Sequence, residues 1–163
     1  MTLIRKKNTP KSTQTIIDDI KYSFYKITSQ NTPIYAITIT NTDCKTTEEL
    51  RFYLTNKLFN KIHKDYKQSL EVLNYSFVIE YPTKVSMGNQ LPDNCEVHTH
   101  IILGTTISKE NIEYYIQTTF RNPDIFIEDI TKRDDKMNYA NYLIKQKHLL
   151  TDDNYNYKIK LPK

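Results

Sequence analysis

The apolar residues of this chain alternate between two spacings, and the order of that alternation is the strongest constraint on its fold. Four runs rich in β-branched residues predict strands at 34–40, 75–82, 95–103 and 124–130. Helical spacing predicts a leading helix from Thr13 to about residue 30, and further helices at 46–66 and 108–120. A last helix is predicted from Asp134-Asp135 through KMNYANYLIKQK, and the polar tail from His148 is predicted to be irregular.

This order is α, then β-α-β-β-α-β, then α. It predicts an α+β protein with a ferredoxin- or RRM-like antiparallel sheet. Helices of the β-α-β-β-α-β core would cover one face of the sheet, with N-terminal and C-terminal helices added. Residues 1–12 contain four basic residues and no acid, which predicts a flexible basic arm before a single domain at 13–163.

The composition of the 163 residues narrows the class of protein. A net charge of +4 fits a nucleic-acid partner without establishing one. Only 2 glycines exclude a glycine-rich phosphate loop. Cys44 and Cys95 show no CxxC spacing, which predicts free thiols in an intracellular, reducing compartment (cytoplasm, nucleus or organelle). No apolar run has the length of a membrane span, so no membrane partner is expected.

Two of the 4 histidines lie two residues apart in the segment CEVHTHIIL. Side chains alternate between the faces of a strand, so His98 and His100 should point the same way. Glu80, in the preceding predicted strand, could supply a third ligand if the two strands pair. Glu96 is the local competitor, but three ligands along one strand would surround an ion poorly. Two imidazoles and one carboxylate suit a divalent ion such as Mn²⁺ or Mg²⁺.

The last predicted helix carries a candidate nucleophile. Tyr139, Tyr142 and Lys145 follow one another at intervals of three residues. On a helical wheel, Tyr142 falls nearly opposite the apolar cluster, with Lys145 and Gln146 beside it. A tyrosine hydroxyl next to a metal could attack a phosphodiester, and a lysine one turn away could neutralise the phosphate.

The segments VHTHIIL and, further along the chain, YANYLIKQ resemble the HUH endonucleases. The resemblance is to the replication initiator (Rep) proteins of rolling-circle plasmids and single-stranded DNA viruses. Their hallmarks are a His-hydrophobic-His strand, an acidic residue on a neighbouring strand and a helix bearing Tyr-x-x-Lys. On this chain the hallmarks fall on His98, His100, Glu80, Tyr142 and Lys145.

The resemblance covers roughly residues 34–148 and implies a metal-dependent endonuclease that nicks and rejoins single-stranded DNA. Tyr142 would become joined to a 5′-phosphate, and the free 3′-hydroxyl would prime rolling-circle replication of a plasmid or single-stranded DNA virus. Mn²⁺ or Mg²⁺ is the implied cofactor, and single-stranded DNA at a replication origin is the implied partner. The sequence identifies neither a helicase nor a host polymerase as a further partner.

Three alternatives remain open. A single-strand HUH transposase would use a polar residue one turn after its tyrosine as a ligand, a role that Gln146 would fit. A non-catalytic RRM-like module shares the same order of elements but expects exposed aromatic residues on the central strands. A nucleotide hydrolase with alternating histidines would need a third histidine where the chain has Ile102.

Overall fold

The computed structural model describes residues 11–81, 96–145 and 150–160, apart from the side chain of Tyr142. The helices are α1 (Thr13–Thr28), α2 (the consecutive segments Thr47–Phe52, Tyr53–Phe59 and Asn60–Asp65), α3 (Lys109–Thr119) and α4 (Met137–Leu143). The strands are β1 (Ile34–Thr40), β2 (Leu73–Glu80), β3 (His98–Thr105), β4 (Asp124–Asp129) and β5 (Tyr155–Lys158). The predicted loop at 83–95 and residues 1–10 of the predicted arm lie outside the described residues.

The strands form one five-stranded antiparallel sheet in the order β4-β1-β3-β2-β5. The first four of these positions give the order expected for a β-α-β-β-α-β core, in which α2 and α3 each connect two strands that follow one another in the chain but are not neighbours in the sheet. The predicted α+β, ferredoxin-like fold class is therefore confirmed.

Side chains at the helix starts explain why the core helices begin where they do. The Thr46 hydroxyl accepts a hydrogen bond from the Glu49 amide, and the Ser108 hydroxyl accepts one from the Asn111 amide. Each bond satisfies one of the amides that the first turn of a helix leaves without a partner. The helical pattern predicted for 46–66 is present, although its middle segment, Tyr53–Phe59, is π-helical.

The two faces of the sheet carry different layers. The face that we call the closed face packs Phe77, Ile101 and Leu103 against apolar residues of α2 and α3 in one continuous core. The opposite face, called here the site face, has a second core in which Val78 and Ile102 contact residues of α1 and α4. The added N-terminal and C-terminal helices thus lie across from the helices of the β-α-β-β-α-β core.

Two predictions about the C-terminal region were wrong. The tail contains a strand, β5, whose residues Tyr155–Lys158 pair with the edge of β2. Asn154 fixes this edge, because its carbonyl accepts from the Ile79 amide at 2.6 Å and its side chain donates to the Ile79 carbonyl at 3.2 Å. Four polar residues give too short a pattern to predict a strand that depends on a distant partner.

The last helix is also shorter than predicted, because it begins at Met137 rather than near Asp134-Asp135 and ends at Leu143, so that Ile144 and Lys145 lie in a turn. The Asn138 amide donates to the Asp135 carbonyl, a three-residue turn that precedes the helix. The Asp135 carboxylate accepts from the Arg133 guanidinium at 2.7 Å. Within the described residues, no helix combines the length and the apolar character that crossing a membrane requires.

Candidate metal centre

Strand pairing brings the predicted metal ligands together. β2 and β3 are antiparallel neighbours, and Glu80 lies directly opposite His98 in their register. Alternation along β3 puts His100 on the same face as His98, two residues further on. All three side chains therefore lie on the site face, close to the end of α4.

Both imidazoles point their Nε2 atoms at the same carboxylate oxygen. Oε2 of Glu80 is 3.1 Å from Nε2 of His98 and 3.0 Å from Nε2 of His100. The potential ligand atoms of the three residues all lie within 4.8 Å of one another. Among the described residues, these three make up the group of histidine, cysteine and acidic side chains that could hold a metal ion.

The other oxygen of Glu80 tests whether the site fits a cation. Glu80 is completely buried, and its Oε1 has no hydrogen-bond partner among the described residues. A buried carboxylate oxygen left without a partner costs free energy, and a bound cation would satisfy it. One hard oxygen and two imidazole nitrogens are a donor set suited to a divalent transition metal. The residues present therefore fit such an ion.

Thr38 of β1 contacts His100, the more deeply buried of the two histidines. Its hydroxyl forms a hydrogen bond of 2.9 Å with Nδ1 of His100. A partner on one ring nitrogen fixes the orientation of the imidazole and leaves the other nitrogen available as a ligand. Thr38 could not be predicted from the sequence, since period-2 alternation in β1 does not reveal which residue of β3 it faces.

Lys145 reaches the same carboxylate from the other side. Its Nζ lies 3.1 Å from Oε2 of Glu80, so two imidazoles and one ammonium group surround a single oxygen atom. Lys145 follows α4 by two residues. This ion pair therefore holds the end of α4 beside the candidate metal ligands.

These contacts set the charges of the centre. Burial acts to raise the pKa of Glu80, but hydrogen bonds from His100, His98 and Lys145 outweigh it and lower that pKa to about 2. Burial lowers the pKa of His100, and the nearby Glu80 only partly offsets this effect. Near neutral pH, Glu80 is therefore an ionised carboxylate and His100 a neutral imidazole, and both are the forms that bind metals.

Three further predicted residues are Tyr142, Gln146 and Glu96. Tyr142 lies within α4, three residues before Lys145, and its side chain is outside the described residues, as is the whole of Gln146. Glu96 lies apart from the metal group, with its Oε1 3.3 Å from the Lys45 ammonium.

Tyr139, the second candidate tyrosine, is held by other contacts. Its hydroxyl donates to Oε2 of Glu128 at 2.6 Å and accepts from Arg133 at 3.1 Å. Burial and the bond to Glu128 raise the pKa of Tyr139, which disfavours the phenolate that a nucleophile needs. The contacts of Tyr139 therefore make it a poor candidate for a nucleophile.

The chain matches no family model and no curated protein. Its fold is similar to the crystal structure of the hypothetical protein ORF119 from Sulfolobus islandicus rod-shaped virus 1, with a TM-score of 0.51. The two sequences are 19% identical, and the match covers 81% of this chain and 97% of that chain. At this identity the likeness bears on the fold alone.

Proposed function

We propose that this protein is a metal-dependent endonuclease and strand transferase of the HUH type, which nicks and rejoins single-stranded DNA. The observation that carries the proposal is the convergence of Glu80, His98, His100 and Lys145 at one carboxylate oxygen, beside the helix that contains Tyr142. A merely structural histidine pair does not require a buried carboxylate with an unpartnered oxygen or a lysine from another element.

In the proposed enzyme, Glu80, His98 and His100 hold a divalent cation, Mn²⁺ or Mg²⁺. Such an ion acts as a Lewis acid on a phosphate oxygen and stabilises the charge that develops there. Thr38 keeps the His100 ring in its ligating orientation. Lys145 contributes a positive charge between the carboxylate and the substrate phosphate.

Tyr142 is the proposed nucleophile. Its hydroxyl oxygen attacks the phosphorus, the bond from phosphorus to the 3′-oxygen breaks, and the phenolic proton is lost to solvent. The leaving 3′-oxygen takes up a proton, so the products are a 5′-phosphotyrosine and a free 3′-hydroxyl. Attack by a 3′-hydroxyl on the phosphotyrosine reverses these steps and rejoins the strand, because the covalent linkage conserves the bond.

The proposed substrate is single-stranded DNA at the origin of a rolling-circle plasmid or single-stranded DNA virus. The net charge of +4 is compatible with a polyanionic partner. The proposed setting is an intracellular, reducing compartment, in keeping with the free, buried thiol of Cys44.

The direct test is the formation of a covalent adduct. The protein is incubated with Mn²⁺ and a randomised single-stranded oligonucleotide library, and the products are separated on a denaturing gel. We expect a shifted band that EDTA and Tyr142→Phe abolish, whereas Tyr139→Phe is the matched control and retains it. Loss in Tyr139→Phe with retention in Tyr142→Phe would show that the other tyrosine is the nucleophile.

A second candidate is a non-catalytic, RRM-like module that binds single strands. The observation in its favour is Phe126, an aromatic ring that is 64% exposed on β4, although β4 is an edge strand and not one of the central strands expected to carry such rings. Binding of the library without an adduct under any divalent ion would favour this function and reduce Glu80, His98 and His100 to a structural role.

A further inference from the structure

The metal centre opens into a cleft on the site face that none of the proposed catalytic steps uses. The cleft has a volume of about 380 Å³ and lies between β1, β4 and α4. His100 and Thr38, which belong to the metal centre, form one wall of it. This volume is within the range of roughly 300–1,000 Å³ that small-molecule sites occupy.

The strand register builds the cleft floor in two rows. Phe126 of β4, Thr38 of β1 and His100 of β3 are opposite one another across three adjacent strands. Glu128, Ala36 and Ile102 form the next row on the same face. Thr38 therefore lies between His100 and the exposed ring of Phe126, and the apolar side chains Ala36 and Ile102 form the floor beside this row.

The rim of the cleft is polar and already ordered. Arg133 donates to Glu128 at 2.6 Å and to Asp135 at 2.7 Å, and its guanidinium carbon lies 5.5 Å from the centre of the Tyr139 ring. These contacts fix the charged groups before any ligand arrives, which lowers the entropic cost of binding.

The charges indicate what kind of group fits. Two carboxylates, those of Glu128 and Asp135, face one guanidinium, that of Arg133, so the rim has no excess of positive charge for a phosphate. Carboxylates retain lone pairs beyond those that Arg133 and Tyr139 use, and these favour a ligand with N–H donors. An uncharged aromatic ring with such donors on its edge meets both conditions.

We propose that this cleft binds one unpaired nucleobase of the DNA strand whose phosphate lies at the metal centre. The inference rests on the proposed function for the position of that phosphate. The base stacks on Phe126 and presents its donor edge to Glu128 and Asp135. Guanine has two N–H donor groups on its Watson–Crick edge, N1–H and the N2 amino group, and thymine has only N3–H, so the cleft prefers guanine to thymine.

The experiment measures DNA affinity without cleavage. The full chain is titrated in EDTA into a fluorescent thymine oligonucleotide, and into the same oligonucleotide with one central guanine, and fluorescence anisotropy reports binding. We expect tighter binding of the guanine-containing strand. Phe126→Ala should weaken that binding roughly 5- to 150-fold, the value of one stacked base, whereas Tyr114→Ala, at a ring 61% exposed on α3, should leave it unchanged.

Three further variants separate stacking and base selection from general packing. Phe126→Tyr should bind DNA like the wild type because it keeps an aromatic face. Phe126→Leu, which keeps only an apolar side chain, should bind more weakly. Glu128→Gln should reduce the preference for guanine more than it reduces the affinity for thymine. Equal affinities of Phe126→Leu and wild type, or no guanine preference, would overturn the inference.

The outcomes distinguish this inference from the proposed function. If the wild type forms the metal-dependent adduct but Phe126→Ala binds DNA normally, the base-binding cleft is wrong and the nuclease stands. If no adduct forms under any ion but Phe126→Ala and Phe126→Leu lose affinity while Phe126→Tyr does not, the nuclease is wrong and the cleft stands.

Discussion

The same strands form both faces of the sheet, but the two faces carry different kinds of side chain. On the closed face, Phe77 and Ile101 lie in a continuous apolar core under α2 and α3. At the adjacent position of each strand, Val78 and His100 point to the site face, where apolar contacts give way to a buried carboxylate and imidazoles. Because side chains alternate between the faces of a strand, one sheet can bury a continuous apolar core on one face and a group of polar side chains on the other.

The largest effect should come from a cavity on the closed face. Phe77 is fully buried and stacks near Tyr75 and Phe59. Phe77→Ala should lower the free energy of unfolding by about 3–5 kcal/mol, as measured by urea denaturation. Phe126→Ala, the matched change on the site face, should alter it by less than about 0.5 kcal/mol because its ring is exposed. Equal losses of unfolding free energy in the two variants would contradict this difference between the faces.

A smaller effect on stability should come from the acid titration of Glu80. Its pKa in the fold, about 2, is below the ordinary value of 4.5. A lowered pKa stabilises the fold above pH 4.5, and this contribution, about 3 kcal/mol, is lost as the pH falls from 4.5 to 2. His100 acts in the same direction from pH 6.5 downward, since its pKa is also lowered.

Urea unfolding in EDTA at a series of pH values checks this expectation. Glu80→Gln should flatten the decline in stability between pH 4.5 and 2, whereas Glu96→Gln, whose pair with Lys45 is on the surface, should leave the profile unchanged. A wild-type and a Glu80→Gln profile of equal slope in this window would refute the assigned charge of the buried carboxylate.

The smallest of the three effects concerns Thr38, which contacts His100 but is not itself a ligand. Thr38→Ala removes the hydrogen bond at Nδ1 and should weaken Mn²⁺ binding by about 10- to 100-fold, as loss of other outer partners of metal ligands does. Thr38→Ser keeps the hydroxyl and should bind Mn²⁺ like the wild type. Calorimetric titration measures both, and a weakened Thr38→Ser would mean that the methyl group, rather than the hydroxyl, is what His100 needs.

The order of elements and the grouping of Glu80 with His98 and His100 could be predicted from the sequence because both depend on local patterns. Alternation along a strand predicts that the two histidines lie on the same face. The connection from the Glu80 strand to the histidine strand predicts that these two strands pair. What remained was the choice between Glu80 and Glu96, which the register of β2 against β3 decides.

The rest depends on contacts between distant parts of the chain. Thr38 and Phe126 reach the site only through the registers of β1 with β3 and β4, and no local pattern specifies these. The strand β5 is too short to be seen without its partner, and the ion pair of Lys145 with Glu80 joins residues on different elements. Such features arise from tertiary packing, which overrides local propensity.

The most direct measurement of the central claim, that Glu80, His98 and His100 form one divalent metal centre, is a titration of Mn²⁺ followed by electron paramagnetic resonance. We predict one tightly bound ion per chain in the wild type and in Glu96→Gln, and none in His98→Ala or Glu80→Gln. Urea unfolding of the same preparations should show that all four remain folded. Undiminished binding by folded Glu80→Gln and His98→Ala would contradict the account.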